Sequence, residues 1–345
     1  MEFSIQLSAD YPDKGYGGDR VYADMLEQAV LGDRLGYDAV GITEHHLLNC
    51  LMMPAPLQFA VQIAAHTKRI KILTSIVVLP IHEMRTYAGE VVVADILTKG
   101  RLILGVGRGA FRYEIERLGI PMGETQERFN ESLDVLQTLL TKEEVSWDGK
   151  YYKFDPITVM PRPLRPGGPQ MMMAVMNPQG IYQCTKRGFH IQTTPLSGNH
   201  QMLVDQVGGF RRAKDEMGTE GEHLTLSLSR VAYVSRTKED RRKKLEEAHS
   251  YYGRFDNVFT GPGIVDNGMI RQLPRKQTID ELDESLLIGT PQEMIDKIAP
   301  YAELGIDRLL LNVNFGSAQT ETMECLQCFA EEVMPHFTQA KRKAA

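Results

Sequence analysis

Cysteine is scarce in this chain of 345 residues: only Cys50, Cys184, Cys325 and Cys328. Four cannot staple a chain this long into a disulfide framework, and they suit a reducing cytoplasm. Long apolar runs are missing too. The longest are strand-sized, well short of the ~20 residues that a membrane-spanning helix needs. The opening MEFSIQLSAD lacks a charged region followed by a long apolar one, so no secretory signal peptide is expected. No basic run interleaved with aromatics occurs. The net charge of −6 and pI near 5.9 argue against nucleic acid or any general polyanion as a partner.

What is present is ordinary globular composition, 42% hydrophobic and 24% charged. A chain of this length buries a large core without covalent help. Length alone suggests two domains, but α/β barrels commonly exceed 250 residues as one, and 1–345 reads as a single domain.

Apolar runs of strand length alternate with segments of helical period. Phe3 to Ser8, DAVGI, IKILTSIVVL, RLILGVG, QMMMAVM, FHIQT, LTLSLSRVAYV and DRLLLNV read as eight strands. Helices follow them. In residues 20–35, Val21, Met25 and Ala29 form a stripe that Gly36 ends. Others are expected at 124–142, 199–217, 237–251, 291–304 and 319–334. The strands are continuously apolar, as when both faces are covered. Eight such units most simply close into a (β/α)8 TIM barrel. The alternative is a doubly wound open sheet, but no Gly-rich turn follows the first strand. Two insertions break the rhythm. Residues 143–169 carry a hairpin around Asp148-Gly149 and then the Pro-rich PRPLRPGGP. Residues 252–288 read as a long irregular segment, of the kind that is usually functional or mobile.

In a barrel the loops after the strands build the active site. This rule gathers Glu44, His45 and His46 after strand 2, Thr74 to Pro80 around the end of strand 3, and GVGRGAFR (105–112) after strand 4. It adds Met176 and Asn177 after strand 5, Thr193 and Thr194 after strand 6, and NVNFG after strand 8. The EHH run could hold a metal, take part in catalysis or do neither. Adjacent histidines on extended backbone point to opposite sides, and no further cluster of ligands stands out beyond His82, which disfavours metal. A side chain at the mouth is expected to carry little core packing. Arg108 stands among Gly105, Gly107 and Gly109, which would let backbone turn tightly and approach a ligand; an arginine there suits a phosphate. It also fits a plain glycine turn. Cys325 and Cys328 lack a redox setting, and the run Met171–Met173 lacks a histidine for copper; both read as core.

The stretches GYDAVGITEHH, LTSIVVLP, LTKGRLILGVGRG, IGTPQEMIDKI and FAEEVMPHF, in that order along nearly the whole chain, resemble the bacterial luciferase-like, flavin-dependent monooxygenases. The resemblance implies a (β/α)8 barrel, reduced FMN (FMNH2) delivered by a separate NAD(P)H:flavin reductase, and dioxygen inserted into a small organic substrate through a flavin peroxide. It implies His45 as the catalytic histidine and Arg108 as the grip on the flavin phosphate. Met176 and Asn177 match a phosphate-binding segment where many relatives have Glu-Ser or Gly-Ser-Ser. Ser75 and Ile76 match a non-proline cis peptide beneath the flavin, Thr194 belongs to the same cofactor set, and 252–288 matches an active-site lid. It further implies a homodimer packed through helices beside strands 2 and 3. Apolar residues near the mouth, among them Leu47, Met52 and Phe111, favour a small organic substrate over a highly charged one. Two alternatives stay open: a deazaflavin-dependent oxidoreductase on the same barrel, and a non-catalytic flavin-binding subunit.

Overall fold

The computed structural model describes residues 1–8, 10, 13–198 and 200–342. Eight parallel strands close on themselves. They are β1 (Glu2–Leu7), β2 (Ala39–Ile42), β3 (Lys71–Thr74), β4 (Leu102–Gly107), β5 (Gln170–Ala174), β6 (His190–Thr193), β7 (Leu226–Val234) and β8 (Arg308–Asn312). Each pairs with the next, and β1 pairs with β8, beginning at Glu2 opposite Arg308. The helices around them are α1 (Gly18–Leu35), α2 (Pro56–His66), α3 (Met84–Leu97), α4 (Thr125–Thr141), α5 (Pro178–Lys186), α6 (His200–Met217), α7 (Lys238–Phe259), α8 (Pro291–Glu303) and α9 (Gln319–Cys328). This is a (β/α)8 barrel with insertions.

The apolar strands are explained by two cores. Inside the barrel, Leu73, Ile103, Met172 and Leu310 form a small fully packed plug. Phe3, Ile5 and Leu7, on the other face of β1, join the large layer between strands and helices. Side chains alternate across each strand, so both faces must be apolar over most of their length. Helix ends carry the expected signals. Gly36 adopts φ +95° and closes α1 through its N–H to Gly32 O. Thr290 and Glu293 form a reciprocal capping box at the start of α8. Among the described residues no helix is long and apolar enough to cross a membrane.

The 143–169 insertion holds the hairpin, Val145–Asp148 against Lys153–Ile157. The 252–288 segment differs from the irregular run expected. The helix predicted over 237–251 continues as α7 to Phe259, because Tyr251, Tyr252 and Val258 are buried. Gly253 does not loosen it: a Cβ there would meet Leu273 O at 2.8 Å, so the glycine lets the segment's own backbone cross the helix. A two-stranded hairpin follows, Val265–Asp266 with Met269–Ile270, turning at Asn267 and Gly268, both at positive φ. A short helix, Ile279–Ser285, comes next. Leu287–Gly289 then pairs with the end of β7 as a strand outside the barrel closure.

One buried side chain organises that hairpin. Asn257 donates to Ile264 O and Arg271 O, each at 2.8 Å, and accepts from Ile264 N at 2.9 Å. The segment is also tied to the barrel loops. Ile270 N donates to Asn49 Oδ1, Lys14 Nζ to Asn267 O, and Arg275 and Gln277 to Ser197. Losing three buried hydrogen bonds costs about 2 kcal/mol or more. Asn257→Ala should therefore speed amide hydrogen exchange across 264–271 by roughly thirtyfold, with the barrel strands unchanged. Unaltered exchange there would mean that something other than Asn257 holds the hairpin.

Candidate active site

The EHH run leaves the end of β2 and is fastened at once to the next strand. Glu44 N donates to Ile76 O at 2.9 Å, and His45 N to Met53 O at 3.2 Å. Glu44 is 1% exposed. Its carboxylate accepts from Val78 N at 2.6 Å and bonds Nε2 of both His46 (3.1 Å) and His82 (2.8 Å). Burial pushes its pKa up. The two imidazoles and the Val78 N–H outweigh this and hold it below the ordinary value of 4.5. The same contact with Glu44 raises His46 above its ordinary 6.5, against burial.

His45 turns to a different carboxylate. Its Nδ1 lies 2.8 Å from Glu114 Oε1, while Glu114 Oε2 accepts from His46 N at 2.7 Å. Glu114 is 2% exposed, on the short helix Arg112–Arg117 after β4. An ionised Glu114 keeps the proton on Nδ1 and leaves Nε2 with its lone pair. The expectation of little packing at this position fails. His45 is only 9% exposed, and its ring stacks on Phe111 with centroids 4.3 Å apart. The loop folds back over the mouth and brings Phe111 down on it. Phe111 in turn meets Phe255 at 5.5 Å and Phe259 at 6.4 Å, so the end of α7 roofs the histidine with aromatic rings.

Ser75 and Ile76 sit beside this pair, and the peptide between them is cis. A polar chain crosses the barrel here. Gln6 Nε2 donates to Thr43 Oγ1 (2.8 Å), Thr43 Oγ1 to Ser75 O (3.0 Å), and Gln192 Nε2 to Ser75 Oγ (2.6 Å). Gln192 Oε1 and Asn312 Oδ1 are buried and have no partner among the described residues. Gly105 and Gly107 serve this packing rather than a ligand. A Cβ on Gly105 would lie 2.0 Å from Thr74 O, and one on Gly107 would lie 2.5 Å from Ile76 Cδ1. Gly109, at φ +81°, makes the turn.

Arg108 is exposed beyond β4, and one guanidinium nitrogen reaches Thr125 Oγ1 at 3.3 Å, leaving most of its donors available. Met176, Asn177 and Thr194 form a second group. Gln206 Nε2 donates to both Met176 O (2.9 Å) and Thr194 O (3.0 Å). The Asn177 side chain caps α5 by accepting from Gln179 N and Gly180 N, and Thr194 Oγ1 accepts from Leu196 N. Both side chains are therefore already in use. Among the described residues no group of three or more His, Cys, Asp or Glu could hold a metal ion.

The model of the luciferase-like monooxygenases matches residues 1–308. The chain belongs to this family. It is accordingly an enzyme of the flavin-dependent oxidoreductase class. The oxygenase component of the flavin-dependent trigonelline monooxygenase of Acinetobacter baylyi is 26% identical, over 99% of this chain and 97% of that one. Among solved structures, the monooxygenase RslO1 from Streptomyces bottropensis superposes with a TM-score of 0.85 at 23% identity, covering 98% of this chain and 100% of its own. The oxygenating constituent of 3,6-diketocamphane monooxygenase from Pseudomonas putida, in complex with FMN, gives 0.76 at 19% identity, over 97% and 98% of the two chains. An F420-dependent secondary alcohol dehydrogenase also gives 0.76, at 18% identity and 96% and 98% coverage.

Glu114, Gln192 and Gln6 escaped sequence reading in this luciferase-like chain. Glu114 lies 69 residues from His45, and no local pattern links them. The two glutamines carried a usable signal: each is a long polar side chain one residue before the C-terminal end of its strand.

The Glu44–His46 contact sets a pH window. Glu44, depressed below 4.5, contributes stability that is present above that value and is lost as pH falls through its folded pKa. His46, raised above 6.5, contributes stability fully present below 6.5 and lost as pH rises through its folded pKa. Melting temperature should peak between roughly pH 4.5 and 6.5 for this pair. His46→Ala should flatten the alkaline limb and shrink the acid one, whereas Glu44→Gln should flatten both, because Glu44 is also the group that raises His46. Unchanged limbs in both variants would remove the pair from the pH dependence.

Proposed function

We propose that this chain is the oxygenase component of a two-component system. FMN enters reduced, as FMNH2, from a separate NAD(P)H:flavin reductase, and one atom of dioxygen passes into a small organic substrate. The observation that carries the reading is the buried His45–Glu114 pair at the barrel mouth, in a chain of this family. Bound flavin would supply the reducing equivalents and the activation of dioxygen.

The residues present fit such a group. Gln192 Oε1 and Asn312 Oδ1 are buried acceptors in want of N–H donors, which a flavin ring edge carries. The free donors of Arg108 suit a phosphate, to which Met176 and Asn177 would add backbone N–H groups. Ser75 and Ile76 would lie beneath the ring, with Thr194 on the neighbouring wall. His45 would hold or pass a proton at Nε2 while Glu114 fixes the ring. Phe111, Phe255 and Phe259 would exclude water, and the 252–288 segment would open and close as a lid. Exposed Val93 and Leu97 on α3 support a homodimer through that face.

A deazaflavin-dependent oxidoreductase is the second reading, favoured by the likeness to the F420-dependent alcohol dehydrogenase. Retention of both His45 and Arg108 disfavours a non-catalytic subunit. The deciding experiment supplies reduced FMN and dioxygen to the protein with a panel of small organic compounds, and screens by mass spectrometry for products gaining one oxygen atom. Turnover with reduced deazaflavin instead, and none with FMNH2, would select the second reading.

Arg108→Ala should weaken FMN about tenfold or more while riboflavin binding barely changes, since a charge-assisted contact contributes ~1.5–3 kcal/mol. Equal losses for both ligands in equilibrium titration would move the phosphate elsewhere. His45→Ala should keep flavin binding and oxygen consumption, but yield hydrogen peroxide in place of oxygenated product. Glu114→Gln should fall between it and the native protein in the product-to-peroxide ratio. Full coupling in His45→Ala would take the histidine out of the chemistry.

A further inference from the structure

A cavity of about 250 Å³ lies on the barrel rim, between α1, the loop after β1 and the turn after β8. Its lining includes Asp10, Asp13 and Asp24, and among the described residues no lysine, arginine or histidine. Two buried polar atoms on its wall have no partner among the described residues: Ser8 Oγ, in a residue 1% exposed, and Gln28 Oε1, in a residue 0% exposed. The orientation of the Gln28 amide follows from its neighbours. Gln319 Nε2 donates to Asp24 O and Glu27 Oε2, which leaves Gln319 Oε1 to accept from Gln28 Nε2 at 2.8 Å. The unpartnered end of Gln28 is thereby an acceptor.

The surrounding charges leave the cavity negative. Arg254 neutralises Asp10 at 2.9 Å. Asp24 accepts the neutral Tyr16 hydroxyl, and Asp13 accepts Gly15 N. Neither is in an ion pair among the described residues. Nearby cations point elsewhere: Arg20 lies over the Tyr16 ring, and Lys244 is bonded to Glu247, Glu321 and Ser317. The start of α9 offers little to an anion, because Ala318 N already donates to Glu321. An occupant must therefore bring positive charge and N–H donors together. The space is too large for a bare metal ion; a cavity of ~150 Å³ already accepts benzene.

We propose that this cavity binds a small organic cation bearing N–H groups, a primary or secondary alkylammonium. The proposal stands apart from the reading of the flavin site. Isothermal titration of the full chain with n-butylammonium chloride tests it, with tetramethylammonium chloride, n-butanol and calcium chloride as comparisons. n-Butylammonium should bind at one equivalent, and each comparison should bind at least about tenfold more weakly. Asp24→Asn should weaken n-butylammonium about tenfold. Asp13→Asn, on the exposed rim where folding is not at stake, should weaken it in the same direction. Comparable affinity for n-butanol would make the cavity merely apolar. Comparable affinity for tetramethylammonium would show the acceptors idle, and preference for calcium would make it a metal site. Each of these, unchanged binding in both variants, or no binding of n-butylammonium, overturns the proposal.

Discussion

Two buried carboxylates, Glu44 and Glu114, hold the mouth of the barrel in shape. Each is taken out of water at a cost that only hydrogen bonds can offset. Glu44 meets that cost with Val78 N, His46 and His82, and so ties the ends of β2 and β3 together. Glu114 meets it with the His45 ring and His46 N, and ties the loop after β4 to the loop after β2. Three strand ends are thereby locked into one frame. His45 is then positioned by its bond to Glu114 and its stack on Phe111, not by its own rotamer preferences. A histidine fixed at one nitrogen is a more selective proton carrier than a free one.

The second constraint is steric. The Thr74 carbonyl and the Ile76 side chain press against β4, where a Cβ on Gly105 would lie 2.0 Å from Thr74 O and one on Gly107 would lie 2.5 Å from Ile76 Cδ1. The polar chain from Gln6 through Thr43 and Ser75 to Gln192 then spans strands β1, β2, β3 and β6. Below it Leu73, Ile103, Met172 and Leu310 pack as an apolar cluster. Gln192 Oε1 and Asn312 Oδ1, near the C-terminal ends of β6 and β8, have no partner among the described residues. The barrel thus changes from packing to chemistry within about one layer of side chains, as expected when strand C-terminal ends carry function.

The 252–288 segment shows how glycine can mislead. Four glycines within a few turns, Gly253, Gly261, Gly263 and Gly268, would ordinarily be taken as a sign of pliancy. In the structure Gly253 and Gly261 stand where backbone passes close, and Gly263 and Gly268 stand at turns of positive φ. Asn257 binds the hairpin of this segment together, and Lys14, Asn49 and Ser197 attach the segment to the barrel loops.

Eight strand–helix units, and hence the closed barrel, were legible because hydrophobic period is a local property and eight parallel strands have few ways to cover both faces. The family was legible for the same reason: its marks are contiguous stretches such as GYDAVGITEHH. The position of His45, Ser75 and Arg108 at the mouth followed from the rule of strand ends. What no local pattern carried was which groups meet across the barrel. Glu114 finds His45 over 69 positions, and Gln192 finds Ser75 over 117. The rim cavity joins α1 to a turn nearly three hundred residues away. Those contacts exist only after closure, because each joins groups whose separation along the chain is unrelated to their separation in space. The sequence alone determined the barrel and the strand ends at which the candidate site lies, and tertiary structure decided the burial and partners of the groups gathered there.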